Sequence, residues 1–503
     1  MIRRAVTRRS GAAFRAVAAL LLASAAAQSP AQSGASQPVA TEQLFTADQA
    51  RADFRDLYAG LKEAQYDINA HAGAADLDRA FAAELAALDR PMSRFELQTR
   101  FQRFVARMKI AHTRIAFPAD EYDRYLQGGG TVFPLEVRID DGRVFVIGNR
   151  SGLADPAPGD EITAIDGRPT TTWLPRLAAQ VSADTPYLAY SIVEYRLPGY
   201  LWIEQGRRET FALTVRKPDG RVRRLSVPAR TAAQLAGAGK QQPPAFALDD
   251  KRTAKMLPGG IAYLRPGPFY NTDPGGNDWD NKSFVAFIDG AFQGFIAADA
   301  QTLLIDLRNN PGGDSSFSDP MIAWFATRPF SFVSDFRIRV SRQTIASNRK
   351  RLDAAAAAGV TDAVSPKFAA RYAAAPPGGI VPYAVPAANP RAGARFTGKV
   401  YVLIDRYSYS NTVNVAAIVQ DYGFGTILGE ETTDLATTYG AMESFDLPRT
   451  GISVGYAKAL LIRPNGSREA RGVVPDIRIA TPVVLKHDVV LERALAAIRA
   501  RGE

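Results

Sequence analysis

The stretch that decides the fold runs from residue 400 to residue 428 and reads VYVLIDRYSYSNTVNVAAIVQDYGFGTIL. It opens with an apolar run of strand length, Val400 to Ile404, and continues with a helical stretch from Asn411 to Asp421. Gly423 predicts the end of that helix, and Thr426 to Leu428 predicts a second strand. A strand, a helix and a strand in this order form a β-α-β unit, which predicts an α/β domain.

The same pattern extends to both sides, and we predict that the α/β domain covers residues 253–485. Apolar runs at Ile261 to Leu264 and at Thr302 to Leu307 are further strands. An Ala- and Pro-rich stretch at about 341–394 predicts a surface insertion or lid, because so long an irregular piece is uncommon inside a compact domain. A C-terminal helix is predicted at 486–503.

The chain before this domain divides into two predicted units, which a Gln- and Pro-rich linker at 238–252 joins to it. Residues 45–118 are predicted to be helical, because apolar side chains recur there at the spacing that lines one helix face. Ser93 and Glu96 form a capping box at the start of one of these helices. Residues 130–232 carry short alternating segments between turns, which predicts a β-rich module and, for the whole chain, a multidomain α+β protein.

The beginning of the chain predicts export. Residues 1–27 hold five arginines and no acid, then a short apolar run and an Ala-rich end, which is the pattern of a secretory signal peptide. Residues 28–44, rich in Gln, Ser, Ala and Pro, predict a disordered leader. We therefore expect a periplasmic or secreted protein, and the sequence leaves open whether the Sec or the twin-arginine route exports it.

Composition excludes several classes of function. Half of the formal charge of +10 belongs to the signal peptide, so basicity does not predict a nucleic-acid partner. No apolar run in the body of the chain approaches the ~18 residues of a transmembrane helix, so we expect no integral membrane segment after signal removal. The chain has no cysteine and only three histidines, His71, His112 and His487, which argues against thiolate and polyhistidine metal sites. We expect no metal and no cofactor.

Three local patterns in the last domain could carry chemistry. The first, Leu304 to Asp314, is a strand that runs into Pro-Gly-Gly, where open backbone N–H groups suit an anionic oxygen. The second, Asp405 to Thr412, is a strand-to-helix turn, where a serine hydroxyl lies at the positive end of the following helix. The third is the charged run from Arg463 to Asp476.

A further pattern lies in the β-rich module. The run from Pro158 to Pro169 reads PGDEITAIDGRP and resembles the Gly-Asp-x-Ile-x-x-Ile-x-Gly core of PDZ domains. Such domains bind extended peptides by adding a strand to an open sheet edge. The alternative is a β-hairpin that only packs against its neighbours.

Taken together and in this order, the patterns resemble those of the tail-specific, or C-terminal processing, serine protease family, which includes the tricorn protease core and interphotoreceptor retinoid-binding protein. The resemblance spans roughly residues 50–485. It implies an α/β catalytic domain of the tail-specific protease (ClpP/crotonase-like) type. It also implies an exported serine endopeptidase whose partners are peptide or unfolded protein substrates.

The resemblance also assigns the base. One branch of the family uses a lysine in a Gly-Glu-x-Thr-x-Gly-Lys turn, but the corresponding run here has Leu435 at the lysine position. The tricorn-like branch uses a histidine from the N-terminal helical region, which His112 resembles, and a glutamate, which Glu469 resembles. Tricorn has a serine before its histidine where this chain has Ala111, so a supporting hydroxyl is expected from Thr113.

These assignments agree with the chemistry of acyl transfer. A serine hydroxyl is a weak nucleophile near neutral pH and needs an adjacent base, for which a neutral imidazole is well matched. Ser410 is therefore the predicted nucleophile, with His112 as its general base. The N–H groups of Gly312 or Gly313 and of Asn411 are predicted to bind the oxyanion.

Each assignment has an alternative. Ser410 could be a helix N-cap, His112 a helix-terminal histidine that donates to a carbonyl, and Glu469 one partner of a solvated salt bridge. The whole chain could be a catalytically inactive peptide- or ligand-binding protein on the same scaffold. A remote alternative is an esterase that uses Ser453, because residues 451–455 read GISVG and match the GxSxG elbow, although a strand-like run follows.

Overall fold

The structure, a computed structural model, describes residues 43–241, 248, 251–277, 279–359, 362 and 364–501. The predicted signal peptide, nearly all of the predicted leader and most of the predicted linker lie outside the described residues. The described chain is a mixed α+β protein with several sheets, as predicted. In the part of the chain that the structure describes, no helix is both long and apolar enough to cross a bilayer.

The N-terminal region is a mainly helical arm. Its elements are β1 (Leu44–Phe45), α1 (Ala47–Ala64), α2 (Ala74–Ala87), β2 (Met92–Ser93), α3 (Arg94–Ala106), β3 (Arg114–Ile115) and α4 (Ala119–Gln127). The predicted helix face of α1 is buried, with Phe54, Leu57 and Leu61 fully inaccessible. The predicted capping box of α3 is present: the Ser93 hydroxyl accepts the Glu96 N–H, and the Glu96 carboxylate accepts the Ser93 N–H.

A β-rich module follows the arm. Its elements are β4 (Thr131–Val132), β5 (Leu135–Asp140), β6 (Arg143–Asn149), β7 (Glu161–Ile165), β8 (Arg168–Pro169), α5 (Thr170–Ala178), α6 (Pro186–Tyr195), α7 (Leu197–Gln205), β9 (Thr210–Arg216), β10 (Val222–Pro228), β11 (Arg230–Thr231) and α8 (Ala232–Gln241). The main strands form an antiparallel sheet in the order β10-β9-β7-β6-β5, with β8 beside β7. The PDZ-like character of the module stays a prediction.

Three helices, α5 to α7, lie inside this module where the sequence predicted only short β segments. Pro175 lies within α5, Pro186 opens α6, and Pro198 lies in the first turn of α7. Proline is tolerated in a first helical turn but interrupts the helical pattern elsewhere. Only α5 is interrupted in this way, but all three helices have just 9 or 10 residues, too few to show a sustained 3.6-residue periodicity, which is why the sequence did not predict them.

The C-terminal domain is built on two sheets. Its elements are β12 (Thr253–Leu257), β13 (Ile261–Arg265), α9 (Lys282–Ala297), β14 (Thr302–Asp306), α10 (Ser315–Ile322), β15 (Asp335–Arg339), α11 (Arg342–Ala358), α12 (Ser365–Ala373), β16 (Ile380–Pro382), β17 (Lys399–Ile404), α13 (Asn411–Asp421), β18 (Thr426–Gly429), β19 (Thr438–Asp446), β20 (Ser453–Ile462), β21 (Ile477–Arg478) and α14 (Val489–Arg499). One sheet has the order β12-β13-β14-β17-β18-β21. The other has the order β16-β15-β20-β19, and β3 of the arm pairs with β20.

The predicted β-α-β unit is present as β17, α13 and β18, and the two strands pair in parallel. Strands β13, β14 and β17 are also mutually parallel and almost wholly buried, because helices cover both faces of the sheet. The carboxyl ends of parallel strands lie at one edge of a sheet, where α/β proteins place their ligands. The loop after β14 carries Gly312 and the loop after β17 carries Ser410, so the topology brings these two loops together.

The predicted insertion at about 341–394 contains two helices and a strand, α11, α12 and β16. Ser341 caps the start of α11, and Gly359 ends it in the left-handed region with φ of 63°. The insertion packs on the rest of the protein: β16 pairs with β15, and Arg342 forms an ion pair of 2.7 Å with Glu63 of α1. Its alanine-rich composition therefore reflects a helix and not an irregular lid.

Candidate active site

Ser410 lies at the start of α13 in a backbone conformation that non-glycine residues rarely adopt. Its φ is 55° and its ψ is −124°. The Ser410 hydroxyl makes no capping bond to the helix, so the N-cap alternative does not account for it. Its backbone N–H donates a hydrogen bond of 2.8 Å to Oδ2 of Asp434, which holds the turn in place. Backbone strain of this kind is concentrated at functional sites.

The Pro-Gly-Gly loop packs directly against this turn. A Cβ added to Gly312 would lie 2.9 Å from Ser410 Cβ and 2.8 Å from the backbone nitrogen of Asn411. A Cβ on Gly313 would lie 2.0 Å from the carbonyl oxygen of Phe269. Both glycines also have φ in the left-handed half of the map, at 90° and 137°. The two loops can therefore approach this closely only because neither glycine has a side chain.

Two backbone N–H groups face this junction without an internal acceptor. The Gly312 N–H donates to Oδ1 of Asn310 at 3.0 Å and is engaged. Among the residues that the structure describes, the N–H groups of Gly313 and Asn411 donate to no protein acceptor. Of the two glycines predicted for the oxyanion hole, Gly313 is therefore the one whose N–H is available, together with Asn411.

His112 comes to the nucleophile turn from the helical arm. Its ring lies beside that of Tyr409, the residue before Ser410, with the ring centroids 6.3 Å apart and the planes at 23°. The sequence placed His112 at the end of a helix, but α3 ends at Ala106, and His112 lies in the turn that leads to β3. The turn contains Lys109 with φ of 56°, which reverses the chain where no glycine signals a helix end.

An aspartate, Asp434, is hydrogen-bonded to the serine turn and acts on the histidine through its charge. It lies in the loop after β18, with a side chain that is buried, and its carboxylate accepts the N–H groups of Ser410 and Leu435 at 2.8 and 3.0 Å. Burial lowers the pKa of His112 below its ordinary value, and the neighbouring Asp434 carboxylate opposes that shift. A lowered pKa keeps the imidazole neutral at pH 7, which is the form that can accept a proton.

Sequence reasoning missed Asp434. The residue directly precedes Leu435, which occupies the lysine position of the other branch, and nothing about its spacing distinguishes it from the neighbouring Glu430 and Glu431. The parallel pairing of β17 with β18 places its loop beside the nucleophile turn. An acid in the loop that follows the next parallel strand is a signal that could have pointed to it.

The structure does not place Glu469 together with Ser410, His112 and Asp434. Glu469 is exposed in the loop after β20, and its carboxylate makes no hydrogen bond or ion pair with the described residues. Thr113 is buried, but its hydroxyl donates to Oε1 of Gln65 at 2.6 Å and not to His112. The roles predicted for Glu469 and Thr113 from the family resemblance therefore have no contact that supports them.

The alternative nucleophile Ser453 and a buried lysine, Lys458, lie in other environments. Ser453 is exposed at the first position of β20, so a strand and not a helix follows it. Lys458 is a buried lysine, but its Nζ is 2.6 Å from Oε1 of Glu443, which also binds Arg351. At the family's lysine position, the side chain of Leu435 is buried and apolar.

Comparison with known proteins gives a family match over part of the chain and a similar fold over most of it. Residues 277–479 match the model of peptidase family S41. Mature CPAF in complex with lactacystin has a TM-score of 0.62 at 16% identity, over 90% of this chain and 98% of that one. Mature CPAF alone gives a TM-score of 0.58 at 16% identity, over 86% of this chain and 94% of that one. The photosystem II D1 C-terminal processing protease gives 0.44 at 17% identity, over 89% and 97%. No curated protein matches the sequence.

Proposed function

Because residues 277–479 match peptidase family S41, we propose that this chain is a serine endopeptidase with Ser410 as nucleophile and His112 as general base. The observation that carries this proposal is the Asp434 carboxylate. It binds the Ser410 N–H at 2.8 Å, and it is the carboxylate that acts on the pKa of His112. A serine, a histidine and a buried acid from three separate segments thus share one small region.

The proposed reaction has two half-reactions. In the first, Ser410 Oγ attacks the scissile carbonyl while His112 accepts the hydroxyl proton, and the N–H groups of Gly313 and Asn411 bind the oxyanion. The imidazolium then protonates the leaving amine as the C–N bond breaks, which leaves an ester on Ser410. In the second, a water molecule gives its proton to His112 and attacks the ester, and the carboxylic acid product departs with Ser410 reprotonated.

Asp434 has an electrostatic role in this scheme. A buried carboxylate close to an imidazole favours the imidazolium that forms during the reaction. Its hydrogen bond to Ser410 N–H also keeps the nucleophile turn in its strained conformation. The Asp434 contacts favour this residue over Glu469 as the acid of the site, because Glu469 is exposed and lies outside the group.

The substrate and the location of the enzyme are further parts of the proposal. We propose peptides or unfolded proteins as substrates, since the family cleaves peptide bonds. We propose a periplasmic or secreted location on the signal-like sequence of residues 1–27.

One experiment tests the proposal against its alternatives. Purified protein is treated with a fluorophosphonate probe, and wild type is compared with Ser410→Ala and Ser453→Ala. The proposal expects labelled wild type, labelled Ser453→Ala and unlabelled Ser410→Ala. Label that is lost in Ser453→Ala would support the esterase. Wild type that stays unlabelled, and that fails to cleave unfolded casein, would support a catalytically inactive binding protein.

A further inference from the structure

A second carboxylate reaches the turn that carries His112. The loop between α5 and α6 of the β-rich module holds Asp184, and Oδ2 of Asp184 accepts the backbone N–H of Ala111 at 3.3 Å. Ala111 directly precedes His112. The Asp184 side chain is 1% exposed, so the module places a buried acid on the backbone of the residue that precedes the proposed base.

The other oxygen of Asp184 faces a second histidine. Nε2 of His71, in the loop between α1 and α2, lies 3.8 Å from Oδ1 of Asp184. Both atoms are buried, and neither has a hydrogen-bond partner among the described residues. The His71 ring also packs edge-on against Tyr439, with the centroids 5.8 Å apart. The structure therefore places a His-Asp pair next to the proposed catalytic histidine.

We infer that Asp184 is a positioning residue for the reaction, because its carboxylate holds the Ala111–His112 turn through the Ala111 N–H. This inference rests on the proposed function, in which His112 is the general base. Neither Asp184 nor His71 is expected to touch the reacting atoms. The role of Asp184 is to keep the imidazole of His112 at the angle and distance that proton transfer needs.

Ionisation of Asp184 at this buried position costs free energy. Burial, and secondarily the Asp434 carboxylate, raises the pKa of Asp184 to about 7, while the Ala111 N–H opposes that shift. Because the raised pKa means that the folded state prefers the protonated acid, ionised Asp184 lowers the stability of the fold progressively from pH 4 to about pH 7. A carboxylate that weakens the fold at neutral pH is better explained by function than by packing.

The groups around the pair determine how it titrates. Burial lowers the pKa of His71, Asp67 opposes this shift and Lys109 adds to it. Asp184 is faced by His71 from the arm, and by Asp434, Tyr409 and Tyr439 from the C-terminal domain. Because burial lowers the pKa of His71, the imidazole is mostly neutral at the pH where Asp184 ionises, and it makes no hydrogen bond to Asp184.

The test uses the rate of fluorophosphonate labelling, measured in the full-length protein from pH 5 to pH 9. The variants are Asp184→Asn, Asp184→Ala, His71→Gln and the Asp184→Asn/His71→Gln pair. The matched controls are Asp219→Asn, in an exposed turn of the module, and the exposed His487→Gln. Ser410→Ala and His112→Gln report on the proposed function in the same assay. Thermal unfolding at pH 8 measures stability.

We expect Asp184→Ala to lower the limiting labelling rate by about tenfold or more, with the half-saturating probe concentration changed less than about twofold. Asp184→Asn, which keeps an acceptor for the Ala111 N–H, should lose less. The wild-type labelling rate should fall as the pH drops below about 7, and in Asp184→Asn this fall, the acid limb of the rate, should begin at a lower pH. At pH 8 the Asp184→Asn protein should unfold at the same or a higher temperature than wild type. His71→Gln, which removes no hydrogen bond from Asp184, should lower the labelling rate less than Asp184→Ala does.

Two results would overturn the inference alone. The first is a wild-type labelling rate in both Asp184 variants. The second is a lower labelling rate in these variants with an unshifted acid limb and a lower melting temperature at pH 8. In either case Ser410→Ala would be unlabelled and His112→Gln slow, so the proposed function would stand. If label were independent of Ser410 and His112, the proposed function would fail and the inference would fail with it.

Discussion

The backbone N–H of Ser410 donates a hydrogen bond of 2.8 Å to Oδ2 of Asp434. The bond joins the loop after β17 to the loop after β18, and it secures a serine whose φ is 55°. The same carboxylate is the charged neighbour of His112. One aspartate thus contributes both to the conformation of the nucleophile and to the electrostatics of the base.

We predict that Asp434→Asn lowers kcat by about 100-fold or more, because the amide removes the charge that favours the imidazolium. Glu469→Gln should lower kcat by less than about threefold, since an exposed side chain without partners contributes little. The measurement is steady-state hydrolysis of labelled, unfolded casein by both variants. The reverse order of effects would restore Glu469 as the acid of the site.

We predict that Gly312→Ala abolishes activity, because the added Cβ would lie 2.5 Å from the carbonyl oxygen of Tyr409 and 2.9 Å from Ser410 Cβ. Gly290→Ala is the matched control, since it lies in α9 with no heavy atom within 4 Å of the added Cβ. That control should keep full activity and gain about 0.5–1 kcal/mol in unfolding free energy. Peptide hydrolysis and urea unfolding measure the two effects, and a fully active Gly312→Ala protein would contradict the described packing.

We predict that Lys458→Met destabilises the protein but keeps kcat within about twofold of wild type, because Lys458 neutralises Glu443 and is not the base. Arg351 still binds Glu443 in this variant, so the loss should be about 1–3 kcal/mol of unfolding free energy. Exposed Lys255→Met is the control. Unchanged stability together with lost activity would indicate a lysine-dependent mechanism.

Much of the fold could be predicted from local patterns. The β17-α13-β18 unit has the predicted order and nearly the predicted bounds, because a parallel strand buried on both faces is a continuous apolar run. Helices α5 to α7 could not be predicted, since each has only 9 or 10 residues and is too short to show a clear period. Helix α11 was not predicted because its alanine-rich sequence resembles a low-complexity segment, although alanine favours helix.

The candidate site could be predicted only where a residue belongs to a local pattern. Ser410 and the glycine pair have such patterns, and the topology brings their loops together. Asp434 and Asp184 have none, because tertiary packing of loops distant in sequence places Asp434 where it acts on the pKa of His112 and Asp184 on the N–H of Ala111. Glu469 is the opposite case: it matches a family motif in the sequence, but in the structure it is exposed and lies apart from Ser410, His112 and Asp434.

The measurement that tests the central claim most directly is the rate at which the fluorophosphonate probe labels Ser410 in wild type and in His112→Gln. If His112 is the base, the substitution slows labelling by about 100-fold or more at pH 8, and Ser410→Ala is not labelled at all. The labelled peptide, identified by mass spectrometry, should contain Ser410. Labelling of His112→Gln at the wild-type rate would contradict the account.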